Sequence, residues 1–220
     1  MNRKQRRQAN KLSGKTKTPH RQTKMYTGEE IMALRTKAVR TAYPMYMNIF
    51  LLSIHDEDDF EYNSYPNHMG KLDRIERRIR EKVLAVDDIA SYELLRDNLA
   101  KMNDLVGVYV TSGSLDMTHL NTKDMVGKKF FYTKDVVNHM IDSSMVAALL
   151  VYFAIFILDV YETTGLVSTE TGDGPMDRLV DRIWNNIDSL SDQYAQMEFE
   201  NYAEAMKDDC NMVITGLDEN

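Results

Sequence analysis

Reactive and structure-breaking residues are scarce in this chain of 220 residues, which has one cysteine, four prolines and ten glycines. A single cysteine, Cys210, permits neither an internal disulfide nor a cysteine-based zinc site, which indicates a reducing compartment. The low glycine and proline content excludes collagen-like and low-complexity sequence. Hydrophobic residues make up 43% of the chain, which is enough to form a core without covalent cross-links. The composition therefore predicts a single folded domain.

Motifs that identify an enzyme are also missing from the sequence. It contains no glycine-rich phosphate loop, no GxSxG nucleophile elbow and no paired CxxC motif. Cys210 has no histidine nearby in the sequence and lies among acidic residues, which favours the thiol over the reactive thiolate. The sequence therefore names no activity and no cofactor, and it favours a non-enzymatic protein.

Acidic residues are absent from residues 1–24, although the whole chain has a net charge of −7. This basic arm contains nine cations, which are Arg3, Lys4, Arg6, Arg7, Lys11, Lys15, Lys17, Arg21 and Lys24. When those nine are subtracted from the chain's 27, the remainder has 18 basic against 34 acidic residues. Because the arm has few apolar side chains to bury, we expect it to be disordered when free. Such a block is typical of a segment that binds nucleic acid or an acidic protein surface, and a solubilising tail is the alternative.

The rest of the chain has the pattern of a mainly α-helical bundle. Thr27 and Glu30 have the spacing of a capping box, with Tyr26 and Ile31 placed as a hydrophobic staple, so a helix is predicted to begin there. Pro44 predicts a kink or break in that helix. The apolar residues 45–54 that follow are too few to cross a bilayer and suit a buried helix.

Four further helices are indicated downstream. They are predicted to begin near Lys71, at Asp87 or Asp88, at Thr133 and at Pro175. The helix from Thr133 contains 14 consecutive apolar residues, Met145 to Leu158. That run is shorter than the roughly 18 to 20 residues of a membrane span. We therefore expect no membrane contact and a central helix surrounded by the others.

Residues 107–132 are the least helical stretch of the body. Val108–Thr111 and Lys128–Tyr132 have the branched and aromatic side chains of strands, and Ser112–Ser114 has the composition of a turn. The sequence predicts a small β-hairpin that pairs these two runs.

The last predicted helix has apolar residues that alternate in steps of four and three over residues 176–197. This pattern suits a helix–helix seam through which two copies of the chain would associate. The candidate interface residues are Val180, Ile183, Ile187, Leu190 and Tyr194. The favoured alternative is one wall of an intrachain bundle, because three heptads are the minimum for a coiled coil.

One dense group of potential metal ligands follows the first helix. His55, Asp56 and Asp59 lie within the segment HDEDDFE, whose oxygen donors suit Mg²⁺ or Ca²⁺. These three residues are the candidates for a metal-dependent hydrolase. A solvated, acid-rich helix end is the favoured alternative.

Two segments carry a resemblance to known proteins. The start MNRKQRR (residues 1–7) and the helix end IFLLSIHD (residues 49–56) resemble small uncharacterised proteins of phages and prophages of Gram-positive bacteria. The resemblance covers about the first 90 residues. Those proteins usually continue with a Gly-Phe-Gly turn, where this sequence has residues 58–62, DDFEY. The resemblance implies a phage origin and the cytoplasm of a bacterial host, and it implies no mechanism.

Together these patterns predict a helical domain over residues 25–208, between the basic arm and an acidic tail over residues 209–220. The leading hypothesis is a non-enzymatic binding protein whose arm binds nucleic acid or another polyanion and whose body binds protein. The alternatives are a protein-directed assembly factor with no nucleic-acid role and the metal-dependent hydrolase.

Overall fold

The computed structural model describes residues 23–57, 69–110, 125–190 and 195–217. Within these ranges the chain forms two strands and six helices, so the predicted mainly helical fold with a small β element is confirmed. Their bounds are β1 Thr23–Thr27, α1 Gly28–His55, α2 Met69–Leu84, α3 Tyr92–Val106, β2 Lys129–Thr133, α4 Lys134–Thr164, α5 Pro175–Asp188 and α6 Ala195–Cys210.

The two longest helices, α1 and α4, form the centre of the fold and run parallel to each other. The Tyr152 hydroxyl donates to the Val39 carbonyl at 3.1 Å, and further along both helices the ring of Phe50 lies 5.4 Å from that of Phe156. Helices α2 and α3 pack against α4, whereas α5 and α6 pack against α1. Because α4 is enclosed on several sides, it is hydrophobic nearly all round, as the sequence predicted.

Helix α4 also has the length and apolar composition of a membrane span, and it is the one such helix among the described residues. Of its most apolar 18-residue window, 78% is buried inside the protein. That burial is what a central core helix requires.

The capping signals and the expected break at Pro44 have different outcomes. Thr27 caps α1 in a complete capping box with Glu30, as predicted. Helix α1 then continues through Pro44, so of the predicted kink or break, the break is wrong and the kink stays a prediction. The missing hydrogen bond is outweighed because Ala42, Tyr43 and Tyr46 beside it are buried in the core. At α3 the N-cap is Ser91 rather than Asp87 or Asp88.

The β element is an antiparallel ribbon formed by β1 and β2, in which Met25 lies opposite Phe131. The second predicted strand, Lys128–Tyr132, is confirmed as β2. The first predicted strand, Val108–Thr111, is wrong, because β2 pairs with β1 instead. Val108 is buried in the main core just after Gly107, the C-cap of α3, so its branched side chain is used for packing and not for pairing. Thr111 and the predicted turn at Ser112–Ser114 lie outside the described residues.

The ribbon places the start of each long helix. Each strand ends in a Tyr-Thr pair, and Thr27 and Thr133 cap α1 and α4 by accepting from the backbone N–H of Glu30 and Val136. The preceding tyrosines, Tyr26 and Tyr132, pack on a small second core of Ile31, Met125 and Met140. Gly28, the first residue of α1, is joined to the segment before β2, because its N–H donates to the carbonyl of Lys128 at 2.9 Å.

The folded part of the chain extends beyond both predicted bounds of the domain, residues 25 and 208. Thr23 and Lys24 belong to β1 and not to a disordered arm, because strand pairing with β2 holds them, and residues 1–22 lie outside the described residues. At the other end the predicted acidic tail is packed up to Leu217, which is buried with Cys210 and Met212 in the main core. Burial raises the pKa of the Cys210 thiol to about 11, and the charges of Asp209 and Asp56 add to this effect, so the thiol is unreactive.

A buried carboxylate, Asp159, fixes α2 against α4. Its side chain has no exposed surface, and Oδ1 accepts from Arg78 Nε and from Lys82 Nζ, each at 3.0 Å. Arg78 Nη2 also lies 2.8 Å from Oδ2, an ion-pair contact that lacks hydrogen-bond geometry. Two cations from one helix therefore neutralise one buried charge on the other.

We expect Asp159→Asn to lower the free energy of unfolding by about 2 kcal/mol, because the amide keeps the size of the side chain but not its charge. The loss is moderate because Arg78 and Lys82 are partly exposed and can turn to water. Urea denaturation followed by circular dichroism measures it. As the matched control, Asp97→Asn removes the exposed pair with Arg96 and should cost less than about 0.5 kcal/mol. Equal costs for the two variants would contradict the role given to Asp159.

Gly28→Ala should destabilise the protein by about 1–3 kcal/mol, because a Cβ at position 28 would lie 1.9 Å from the Met125 carbonyl oxygen. The backbone at Met125 must move for the methyl group to fit. The change is checked by thermal denaturation. On the exposed side of the same helix, Thr41→Ala serves as control and is expected to change stability by less than about 0.5 kcal/mol. A Gly28→Ala protein as stable as wild type would show that the ribbon is not tightly joined to α1.

Candidate nucleic-acid interface

The ribbon and its flanks form an acid-free basic surface, which we call the cationic ribbon (residues 23–27 and 128–134). Its sequences are TKMYT and KKFFYTK, and its four lysines are all exposed. Residue 23 follows directly on residues 1–22, which contain eight of the nine cations of the basic arm. The basic arm therefore leads directly into the first strand of the ribbon.

The two faces of the cationic ribbon differ in burial. On the inner face Phe130 and Tyr132 stack with ring centroids 5.4 Å apart and cover the second core. On the outer face Phe131 is 71% exposed and Met25, its cross-strand partner, is 47% exposed. A large aromatic ring exposed next to Lys129 offers a flat surface beside a positive charge.

Three acidic side chains border the ribbon in the first turns of the long helices, Glu29 and Glu30 on α1 and Asp135 on α4, and the two glutamates help to hold the ribbon in place. Glu30 accepts from the Thr27 N–H at 2.8 Å in the capping box, and Glu29 accepts from the Gly127 N–H at 2.8 Å. The backbone hydrogen bond from Gly127 contributes most to lowering the pKa of Glu29, so this residue is ionised at neutral pH. Both glutamates lie in the first turn of α1, where the helix dipole favours negative charge.

This arrangement matches the chemistry of a nucleic-acid surface. Lysines neutralise backbone phosphates without regard to sequence, and exposed aromatic rings stack on unpaired bases. A two-stranded ribbon also fits the major groove of duplex DNA. The inner aromatic residues fix the ribbon to the helices, so its outer face is held rigidly.

The predicted nucleic-acid residues divide between described and undescribed segments. Lys24 lies on β1 with Nζ 5.0 Å from the centroid of the Tyr26 ring, and it is exposed. The other eight, Arg3, Lys4, Arg6, Arg7, Lys11, Lys15, Lys17 and Arg21, lie outside the described residues.

The sequence prediction did not include Lys128, Lys129, Phe131 and Lys134. A signal was present, because KKFFYTK interleaves three lysines with three aromatics and contains no acid. The aromatic residues of this stretch predict only a strand, and nothing in its sequence shows that it lies beside the basic arm.

Two of the three candidate metal ligands lie next to each other in the described part of the chain, and the full set stays a prediction. His55 Nδ1 lies 3.0 Å from Asp56 Oδ1, and Asp59 is outside the described residues. The intervening Glu57 is buried and accepts from Arg182 at 2.6 Å, so its charge is already balanced. Within the described ranges no group of three or more histidine, cysteine or acidic side chains could hold a metal ion. Helix α1 ends at His55, but the buried Glu57 differs from the solvated acidic end that the alternative describes.

The candidate oligomer interface faces the protein's own core. The stretch predicted as a single helix over residues 176–197 is divided into α5, which ends at Asp188, and α6, which begins at Ala195. Ile183 is fully buried, and Val180, Ile187 and Leu190 pack against the same core. Tyr194 lies outside the described residues. The intrachain alternative therefore describes α5, because its apolar stripe packs against α1.

The cationic ribbon combines exposed lysines with an exposed aromatic ring, which is the geometry and charge of a binding surface. Comparisons of the chain with protein-family models, with curated proteins and with solved structures find no match.

Proposed function

We propose that this protein binds nucleic acid through the basic arm and the cationic ribbon. The observation that carries the proposal is Phe131, which is 71% exposed at the centre of an acid-free strand flanked by lysines. Burying this ring in a partner would be favourable, and the surrounding charges select a polyanionic partner. A nucleic acid supplies both the phosphates and the flat bases.

The charge distribution confines the contact to one end of the molecule. Beyond residue 24 the chain has 18 basic and 34 acidic residues, so the body as a whole repels a polyanion. The ribbon precedes α1 and α4 and therefore lies at one end of the central pair. With 31 residues, α4 extends about 46 Å from that end.

Single strands are the preferred form in this proposal. A base can stack on Phe131 only if it is unpaired, and such stacking contributes about 1–3 kcal/mol per base. Duplex DNA would be held mainly by phosphate contacts, which contribute affinity but no base stacking.

A protein-directed role is the second candidate, and the same outer face favours it. Met25 and Phe131 form an apolar pair that an acidic protein with an apolar contact site could also cover. Such a partner would bind the ribbon without nucleic acid, so the two candidates differ in a direct binding assay.

Phe131→Ala should weaken binding to single-stranded oligothymidylate about 5- to 100-fold without changing the salt dependence, because stacking releases no counterions. The double variant Lys128→Gln/Lys129→Gln should instead reduce the slope of log K against log salt by about 1.4. Deletion of residues 1–22 should leave a slope of about −3, from the four ribbon lysines. Fluorescence anisotropy over a range of salt concentrations measures all three effects.

Two matched variants at the other end of the molecule serve as controls. Tyr109 is 78% exposed and follows α3, whose last residue, Val106, is bonded to Ser168 just after α4. Lys101 is exposed on α3. Tyr109→Ala and Lys101→Gln should bind like wild type. The proposal is wrong if wild-type protein does not bind at any salt concentration, or if Phe131→Ala and the double lysine variant bind as wild type does.

A further inference from the structure

After α6 the chain continues without helix or strand over residues 211–217, a segment that we call the strap. Three of its apolar side chains face the protein: Met212 and Leu217 are buried in the main core, and Ile214 packs against it. Val213 points the other way and is 72% exposed. The strap is therefore bound to the surface of the helices by alternate side chains, as a peptide ligand is held in a groove.

The far end of the strap lies between α1 and α2. Leu217 lines a small cavity together with Val39 of α1 and Val83 of α2. Arg80, which lies one turn before Val83 on α2, donates to two backbone carbonyls of the strap. We call this site the strap groove (Val39, Arg80 and Val83).

The guanidinium of Arg80 is held in position by residues outside the strap. Its Nε donates to Glu76 Oε1 at 2.8 Å, and its central carbon lies 5.2 Å from the centroid of the Tyr43 ring. The two terminal nitrogens then donate to successive carbonyls, Nη1 to Gly216 at 3.0 Å and Nη2 to Thr215 at 2.7 Å. Because the fork is fixed by the groove itself, it is preformed for the main chain of an incoming segment.

The strap is joined only lightly to the rest of the molecule. Three hydrogen bonds connect it to the remainder of the described chain, two from Arg80 and one from the Met212 N–H to the Met206 carbonyl at 3.1 Å. Asn211 connects it to α6 with a φ of +50°, and among the described residues it is the one non-glycine with a positive φ. Left-handed backbone is unfavourable for most residues that carry a side chain, although asparagine tolerates it better than most. A change of backbone angles at this one position would move the strap away and leave α6 intact.

We propose that the strap groove is an interaction surface whose partner is the strap of a second copy of this chain. The second strap fits because it carries the same anchors, Met212, Ile214 and Leu217, and the same carbonyls. In a dimer that exchanges straps, every contact between strap and groove is kept, and only the path of the chain at Asn211 changes. Exchange therefore exposes no core, and its extent depends on protein concentration.

The first experiment offers the groove a fluorescein-labelled, amidated peptide with the sequence of the strap, NMVITGL, and measures binding by fluorescence anisotropy. Leu217→Asp in the full chain should release its own strap, because a charged side chain is unfavourable in the core. This variant should bind the peptide about tenfold or more tightly than wild type, whose groove is already occupied. Adding Arg80→Gln should reverse most of the gain, because the fork is lost. Val213→Asp makes the same change on the exposed side of the strap and should bind the peptide as wild type does.

The second experiment asks whether the strap comes from another copy, and it uses sedimentation velocity. A chain with Arg80→Gln has an intact strap and a weakened groove, whereas a chain with Leu217→Asp has an intact groove and a released strap. Their mixture should contain a 1:1 dimer that neither chain forms alone at the same total concentration. Replacing the first chain by the double variant Arg80→Gln/Leu217→Asp should abolish the dimer, because no intact strap is then present.

The proposal is overturned if Leu217→Asp binds the peptide no more tightly than wild type, or if the complementary pair stays monomeric. Peptide binding without a dimer would assign the groove to a strap-like segment of another protein and would exclude the second copy as its partner. Circular dichroism checks that each variant folds, and Leu217→Ser replaces Leu217→Asp in both experiments if the latter does not. If neither folds, wild-type protein that is monomeric at every concentration overturns the proposal.

Discussion

The fold depends on the packing of two long helices, α1 and α4, along a shared aromatic seam. Tyr43 and Tyr152 meet edge to face with ring centroids 5.5 Å apart, and Phe50 contacts both Phe153 and Phe156 further along. These rings bury large apolar areas and have preferred relative orientations, so they fix the register of the two helices. The shorter helices cover the outer sides of this pair. Burial raises the pKa of the Tyr43 hydroxyl, which donates to Glu76, and of the Tyr152 hydroxyl, which donates to Val39, so neither ionises at neutral pH.

The position of the basic surface follows from this central pair. Each long helix is preceded by one strand, and because the helices run parallel, both strands lie at the same end of the molecule. Strand pairing then places Lys24, the last cation of the basic arm, on the same ribbon as Lys129, more than 100 positions later in the chain. The acidic residues lie mainly on the shorter helices and loops, which cover the rest of the pair. The basic ribbon thus lies at one end of a body whose net charge is negative, which orients an approaching polyanion before contact.

Local signals predicted the parts of the fold that neighbouring residues determine. Thr27 and Thr133 were recognised as helix starts because a capping side chain and the N–H groups it satisfies are three residues apart. The partner of β2 could not be found in this way, because pairing over a long loop depends on which strand the tertiary structure brings close. Val108 and Tyr26 are both strand-like by composition, and only the position of α3 in the core decides between them. The cationic ribbon was missed for the same reason, since Lys129 and Met25 become neighbours only through the fold.

The two buried charges on the central helices show which polar residues in this core are structural. Asp159 has cations on two sides, so its position is explained by the attachment of α2 to α4. Arg35 makes one hydrogen bond to Ser144, and its two terminal nitrogens are buried without a hydrogen-bond partner. If Arg35 served only to hold α1 against α4, a neutral donor such as glutamine would make the bond to Ser144 without burying a charge. Burial lowers the pKa of Arg35 and the charge of Asp88 opposes that shift, so a cation at this position, unlike a glutamine, also attracts the segment between α2 and α3 to α1.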